Sequence, residues 1–223
     1  MNKLEIILIG FIILFPIIDL INEKYKSNKK TIEYLKISFF LWLPTFLLLY
    51  LYSNNLVSVI APNIVVEFNW QNILLLSLLV VASVYLVFLI KTICSNEKLR
   101  AEVASQFESF KELMPETRNQ MLVFTLVLSI SAGICEELIF RAYLYTLIKT
   151  QFGLAIGIIL SSLMFGLWHV YLGWKEVLKT AFMGAILCGI YLLSGNIILP
   201  ILIHAFIDIY SALISYFAMR KSI

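Results

Sequence analysis

Histidine and cysteine are both scarce in this 223-residue chain, which has two of the first and three of the second. Cys94, Cys135 and Cys188 lie in or beside apolar runs without CxxC spacing. That excludes a disulfide framework or a cysteine-based metal site, and the three are read as free, buried small hydrophobes. Charge is thin as well: 14% of residues are charged against 61% apolar, and the mean hydropathy is +0.93. A soluble globular domain is roughly 45–50% apolar, so that class is excluded and a polytopic membrane protein is indicated. No internal repeat or low-complexity tract is visible. HExxH is missing, and so is any GxSG-like or Ser/Lys context. Ser131, Ser161 and Ser162 are therefore read as helix-packing small residues. Paired Gly/Pro-interrupted segments in matching halves, the mark of many transporters, are also lacking.

What is present is hydrophobic length. Seven stretches reach the roughly 20 residues that cross ~30 Å of hydrocarbon, at about 4–21, 35–52, 73–94, 121–150, 152–174, 177–193 and 197–219. The first is kept as a true span, because it carries Asp19, lacks a small-x-small cleavage site and is followed by lysines. Basic residues alternate between loops. Lys24, Lys26, Lys29, Lys30 and Lys36 flank the first loop, and Lys91, Lys98, Arg100, Lys111 and Arg118 the third. Lys175 and Lys179 lie in the fifth, Arg220 and Lys221 in the tail. The positive-inside rule then predicts seven helices with the N-terminus outside and the C-terminus cytoplasmic. Loop 95–120 places Leu99, Val103, Phe107, Phe110, Leu113 and Met114 at three- and four-residue steps, the pattern of an amphipathic helix on the membrane surface. Trp70, Trp168, Trp174 and the tyrosines read as interfacial anchors, and Glu5 and Asp19, near helix ends, are expected to face interfacial water.

Against this background the segment ICEELIFRAYLYTL, residues 134–147, is anomalous: two carboxylates and an arginine in apolar sequence. A charge at a membrane helix centre costs roughly 2.5–3.5 kcal/mol on insertion scales. The other deep ionisable groups are His169 in the fifth stretch and His204 and Asp208 in the seventh, so both histidines of the chain are among them. An intramembrane ionisable residue is a functional candidate by default, and six on three late spans are read as one cluster. Glu137 and Arg141 are four apart and share a helix face, which predicts a structural ion pair. Glu136, rotated ~100° from Glu137, is left to point into a cavity. Phe165 with His169, and His204 with Asp208, repeat the four-residue spacing. Phe165 is read as packing beside His169. A carboxylate with imidazoles beside it can draw a proton from water, making that water nucleophilic towards a carbonyl, and imidazole N–H groups can donate to the oxyanion that develops.

The three motifs, Glu136-Glu137-x-x-x-Arg141, Phe165-x-x-x-His169 and His204-x-x-x-Asp208, each on its own late span, resemble the CPBP family of CAAX proteases and bacteriocin-processing enzymes. That family, also called Abi, consists of intramembrane glutamic endopeptidases. The resemblance covers about residues 114–216, and the first three stretches match only in being hydrophobic. It implies Glu136 as the general base, His169 as its partner, and Glu137 and Arg141 as braces. His204 and Asp208 would stabilise the oxyanion. At the last position the family more often has Asn, whose amide can donate, whereas an ionised carboxylate only accepts. Asp208 must then be protonated, hold His204 in its charged form, or mark a site with altered activity.

The expectation is an all-α membrane protein of about seven transmembrane helices, with the site formed by the last four. Residues 1–113 would supply N-terminal spans and a cytoplasmic amphipathic loop, and 114–223 the catalytic core of a single integral-membrane unit. It would cleave a peptide bond of a membrane-tethered substrate (a lipidated C-terminus, or a bacteriocin or signal-peptide leader) in the bilayer of a bacterial cytoplasmic membrane. No cofactor, no metal and no nucleic-acid partner is expected, and the oligomeric state is left open. The rivals are a non-catalytic peptide-binding or immunity protein and, less favoured, a zinc protease using the Glu, His and Asp side chains.

Overall fold

A computed structural model describes residues 2–22, 27 and 29–220 of the chain, and among the described residues there is no β-strand. Eight helices carry the fold among those residues: α1 (Lys3–Asn22), α2 (Lys30–Ser53), α3 (Trp70–Ser95), α4 (Glu97–Gln106), α5 (Arg118–Phe152), α6 (Leu154–Leu167), α7 (Trp174–Ser194) and α8 (Ile198–Met219). Five of them, α2, α3, α5, α7 and α8, are long and apolar enough to cross a membrane. The first hydrophobic stretch forms α1, of 20 residues. The fifth, expected to continue to residue 174, is α-helical for only 14 residues. At 1.5 Å per residue α6 reaches about 21 Å, short of the hydrocarbon thickness. The protein is an integral, multi-pass, all-helical membrane protein. Lys24, Lys26 and Lys221, which entered the charge count, lie outside the described residues, as does the Asp19 side chain.

Local chemistry sets the helix limits. Asn69 accepts from the Asn72 amide at 2.9 Å to open α3, and Asn96 from the Leu99 amide at 3.1 Å to open α4. Thr117 and Gln120 form a reciprocal capping box at the start of α5, satisfying donors that the first turn leaves unpaired. That helix runs 35 residues, roughly 50 Å, so it must tilt or protrude. It ends at Gly153, whose φ of +88° a side chain would resist. The chain reverses there into α6.

Within α5 the winding widens twice to π-helical turns, at Phe124–Leu128 and Leu138–Tyr145. Hydroxyls fill the carbonyls these turns expose: Ser129 donates to the Phe124 carbonyl at 3.0 Å and Thr146 to the Arg141 carbonyl at 3.3 Å, each across five residues. Such turns recur at functional sites, and the second begins directly after Glu137.

The largest core mixes the early and late helices, packing Leu8, Ile12, Leu41 and Leu48 against Cys135, Ile139, Phe140, Tyr143, Phe165 and Trp168. By contrast α3 buries little of its surface and presents an apolar exterior suited to lipid. Connection 95–120 departs from the sequence reading. Leu99, Val103 and Phe107 pack against α3 and α8, and Leu113 and Met114 join Tyr34, Phe124 and Ala212. Its apolar face packs against one end of the bundle.

Two further expectations are corrected. Glu5 is fully buried: its carboxylate accepts from the Ser58 amide and hydroxyl at 2.9 and 2.7 Å and from the Tyr143 hydroxyl at 3.3 Å. Three donors replace the water it was expected to face. Trp168 is buried too, with its indole N–H on the Ile12 carbonyl at 2.9 Å, whereas Trp70 and Trp174 remain exposed as anchors would.

Candidate active site

α5, the end of α6, and α8 bring the sequence candidates together. Glu137 is 0% exposed and Arg141 2%, and Glu137 Oε1 lies 2.8 Å from Arg141 Nη1. The ion pair predicted from four-residue spacing is present. The same oxygen accepts from His204 Nδ1 at 2.7 Å, across from α5 to α8. A carboxylate oxygen has only lone pairs to offer, so Nδ1 carries the hydrogen and Nε2 faces Asp208, whose Oδ2 is 3.8 Å away. That gap is too long for a hydrogen bond, and it is an ion pair only when the ring is protonated. Asp208 itself is about a third exposed (32%). His204 thus stands between two carboxylates. Sequence spacing pointed to Asp208 as its partner, and the structure makes Glu137 the closer one.

Close backbone approach permits this bridge. A Cβ on Gly133, one turn before Glu137, would come within 2.9 Å of Ala205 Cβ and 3.0 Å of the Ile201 carbonyl, both on α8 beside His204. Only glycine lets α5 and α8 sit this near.

Phe165 is more than packing. The Arg141 guanidinium lies 4.3 Å over its ring centroid, and the His169, His204 and Phe140 rings stand 5.2, 5.7 and 5.2 Å from it. Arg141 Nη2 also donates to the Gly184 carbonyl of α7 at 3.2 Å. One buried cation therefore ties α5, α6 and α7 together through a carbonyl and a π face.

Glu136 faces elsewhere. It is buried, its Oε2 has no hydrogen-bond partner, and it lines a cavity of about 650 Å³ together with His169. Of the two adjacent glutamates, Glu137 pairs with Arg141 and Glu136 lines the cavity. His169 sits just past the end of α6, half-buried, with Nδ1 3.0 Å from the Phe165 carbonyl. A carbonyl only accepts, so Nδ1 is the protonated nitrogen and Nε2 of the neutral ring is left as an acceptor. His204 and Asp208 are absent from the cavity lining.

Sequence reasoning missed the rest of this cavity. Phe11 and Phe15 of α1, Tyr34, Ile37 and Leu41 of α2, and Trp168 supply apolar wall, while Lys30, Glu33, Lys36, Lys111, Glu112 and Glu116 line it where α2 begins. Nothing in their local sequence distinguishes these aromatic and aliphatic residues from lipid-facing ones. Lys30 Nζ fastens that end by donating to the Lys111 and Met114 carbonyls at 2.7 and 2.8 Å, with Glu116 at 3.0 Å. Among the described residues no three His, Cys, Asp or Glu side chains are arranged to hold a metal ion.

Fold and site define a class: a multi-pass helical membrane protein with carboxylates and imidazoles buried among its late helices. Residues 118–210 match the family model for type II CAAX prenyl endopeptidase Rce1-like proteins. The match supports the CPBP/CAAX protease family over that segment, about two fifths of the chain. It runs from the first residue of α5 into α8 and contains all seven candidate residues, but it excludes α1 to α4. No curated protein and no solved structure matches the chain.

Proposed function

We propose that the chain is an intramembrane endopeptidase that hydrolyses a peptide bond of a membrane-associated substrate with water activated by Glu136. The observation that carries this reading is the cavity whose lining Glu136 and His169 share. A water held there can donate one hydrogen to Glu136 and the other to His169 Nε2, which aims its lone pair at a scissile carbonyl. As the C–O bond forms, Glu136 takes the proton; when the C–N bond breaks, it returns that proton to the departing amine. Charge developing on the carbonyl oxygen needs a donor; His204 in its imidazolium form has Nε2–H to offer, to a substrate carbonyl that reaches beyond the cavity lining towards Asp208. Glu137 orients His204 through Nδ1 while Arg141 balances the carboxylate. The substrate is a peptide tethered at the membrane: a lipidated tail, or a bacteriocin or signal-peptide leader. It enters from the end lined by Lys30 and Lys111, and the positive-inside rule supports the cytoplasmic side for that end.

The test compares peptides released from membranes of cells making the wild type and Glu136→Gln. Peptides that vanish with the substitution, while the protein remains folded and chelators leave release intact, support the reading. Identical peptide sets would instead favour a non-catalytic peptide-binding protein, and loss with chelators alone a metalloprotease.

A further inference from the structure

α1 lies outside the family segment, yet it touches the residue next to His169. Pro16 stands buried inside α1. Proline has no N–H, so the carbonyl four residues earlier, that of Ile12, loses its helical donor. In the structure that carbonyl accepts from Trp168 Nε1 at 2.9 Å. Ile12 is fully buried and Trp168 nearly so, where an unpaired carbonyl or indole N–H is costly. Aromatic packing fixes the same indole: Phe15 stacks on it at 4.2 Å, and Phe140 meets it edge-on at 4.7 Å. Directly after Trp168 the regular helix is over. The chain passes through His169 into a short 3-10 turn at Val170–Leu172 and then Gly173 at φ +97°. Past the end of α6, the His169 backbone is held only by i,i+3 bonds, its N–H donating to the Gly166 carbonyl at 2.9 Å and its carbonyl accepting from the Leu172 N–H at 3.0 Å, so its place depends on where the residue before it is fixed.

We propose that the Ile12 carbonyl freed by Pro16 and the Trp168 indole form a lock through which α1 positions His169 beside Glu136 in the cavity. Pro16 and Trp168 are positioning residues: neither side chain is an acid or base, and the indole N–H is engaged by the Ile12 carbonyl. The consequence for turnover rests on the endopeptidase reading, whereas the lock itself does not.

Three variants of the full chain separate the possibilities. Trp168→Phe keeps ring packing and removes the donor, leaving the Ile12 carbonyl orphaned. Pro16→Ala supplies an N–H within α1, which competes for that carbonyl. The double variant pairs the carbonyl inside α1 again while still lacking the lock, so it remains informative if Trp168→Phe does not fold. With only two histidines in the chain, ¹⁵N-histidine labelling in lipid nanodiscs gives two imidazoles, assigned with His169→Gln. We expect the His169 nitrogen signals to shift or broaden in all three variants while those of His204 stay in place. Peptide release from membranes should fall roughly ten- to hundred-fold, the loss typical of a slightly misplaced catalytic group. In the double variant thermal stability should recover but the His169 signals and peptide release should not. A double variant that regains the wild-type His169 spectrum along with its stability would overturn the lock, leaving the contact a fold determinant alone. So would an unchanged His169 spectrum in Trp168→Phe. If Glu136→Gln releases the same peptides as wild type, the endopeptidase reading fails, and the imidazole spectra still decide the lock.

Discussion

Glu136 and Glu137 are neighbours in sequence, yet the structure predicts opposite responses to the same isosteric change. Glu137→Gln removes the carboxylate that, among the described residues, pairs with Arg141, a guanidinium 2% exposed that also contacts a carbonyl at 3.2 Å and a ring face. Breaking a buried ion pair from one side costs about 3–5 kcal/mol, because the remaining charge is left uncompensated. The His204 Nδ1 contact at 2.7 Å is weakened in the same step. Set against a net stability of ~5–15 kcal/mol, that loss should lower the melting temperature by roughly 6–20 °C. Glu136→Gln alters a side chain whose Oε2 has no hydrogen-bond partner and which is in no ion pair of the described residues, so its effect should stay within about 1 kcal/mol. Cys94 is exposed, not buried as the sequence suggested, so thermal unfolding of detergent-purified protein in a Cys94→Ala background, followed by thiol-reactive dye labelling of the buried Cys135 and Cys188, measures both variants. A Glu137→Leu/Arg141→Met pair adds a control: removing both charges should recover much of the stability lost in Glu137→Gln. Equal destabilisation by the two glutamine variants, or a neutral Glu137→Gln, would refute the assignment of one glutamate to structure and the other to the cavity.

Gly133→Ala should force α5 and α8 apart through Ala205 and Ile201, costing roughly 1–3 kcal/mol, which denaturation would register together with reduced peptide release. Asp208→Asn replaces an acceptor-only group by one that can donate. At a third exposed and 3.8 Å from His204, the change should leave the fold intact and peptide release equal or higher; abolished release would contradict an oxyanion-side role. Lys30→Ala unfastens the connection from α2, so limited proteolysis should nick residues 107–117 faster than in wild type while the helices stay protected.

Much of the site was legible because a charge in apolar sequence demands a reason. The carboxylates, Arg141, both histidines and Asp208 were found on that ground, and four-residue spacing named the Glu137–Arg141 pair. The same rule sent His204 to Asp208, since periodicity sees only one helix at a time; the nearer partner, Glu137, comes from α5. Glu5 was misjudged for a related reason. Its position near a helix end suggested water, but Ser58 and Tyr143 supply donors from a loop and a helix far along the chain.

By itself the sequence determined composition-level facts and intra-helical ones: a membrane-bound, all-helical chain, the helix faces on which charges fall, and the motifs of the family segment. Tertiary structure alone decided which groups meet. Bringing Gly133 against Ala205 sets α8 close enough for His204 to reach α5, and Pro16 leaves a carbonyl that a distant tryptophan fills. The aromatic walls that α1 and α2 lend the cavity look no different in sequence from lipid-facing residues. The physical reason is that helix periodicity fixes a side chain's direction about its own axis, whereas its partner depends on how whole helices pack, a property spread over every contact between them.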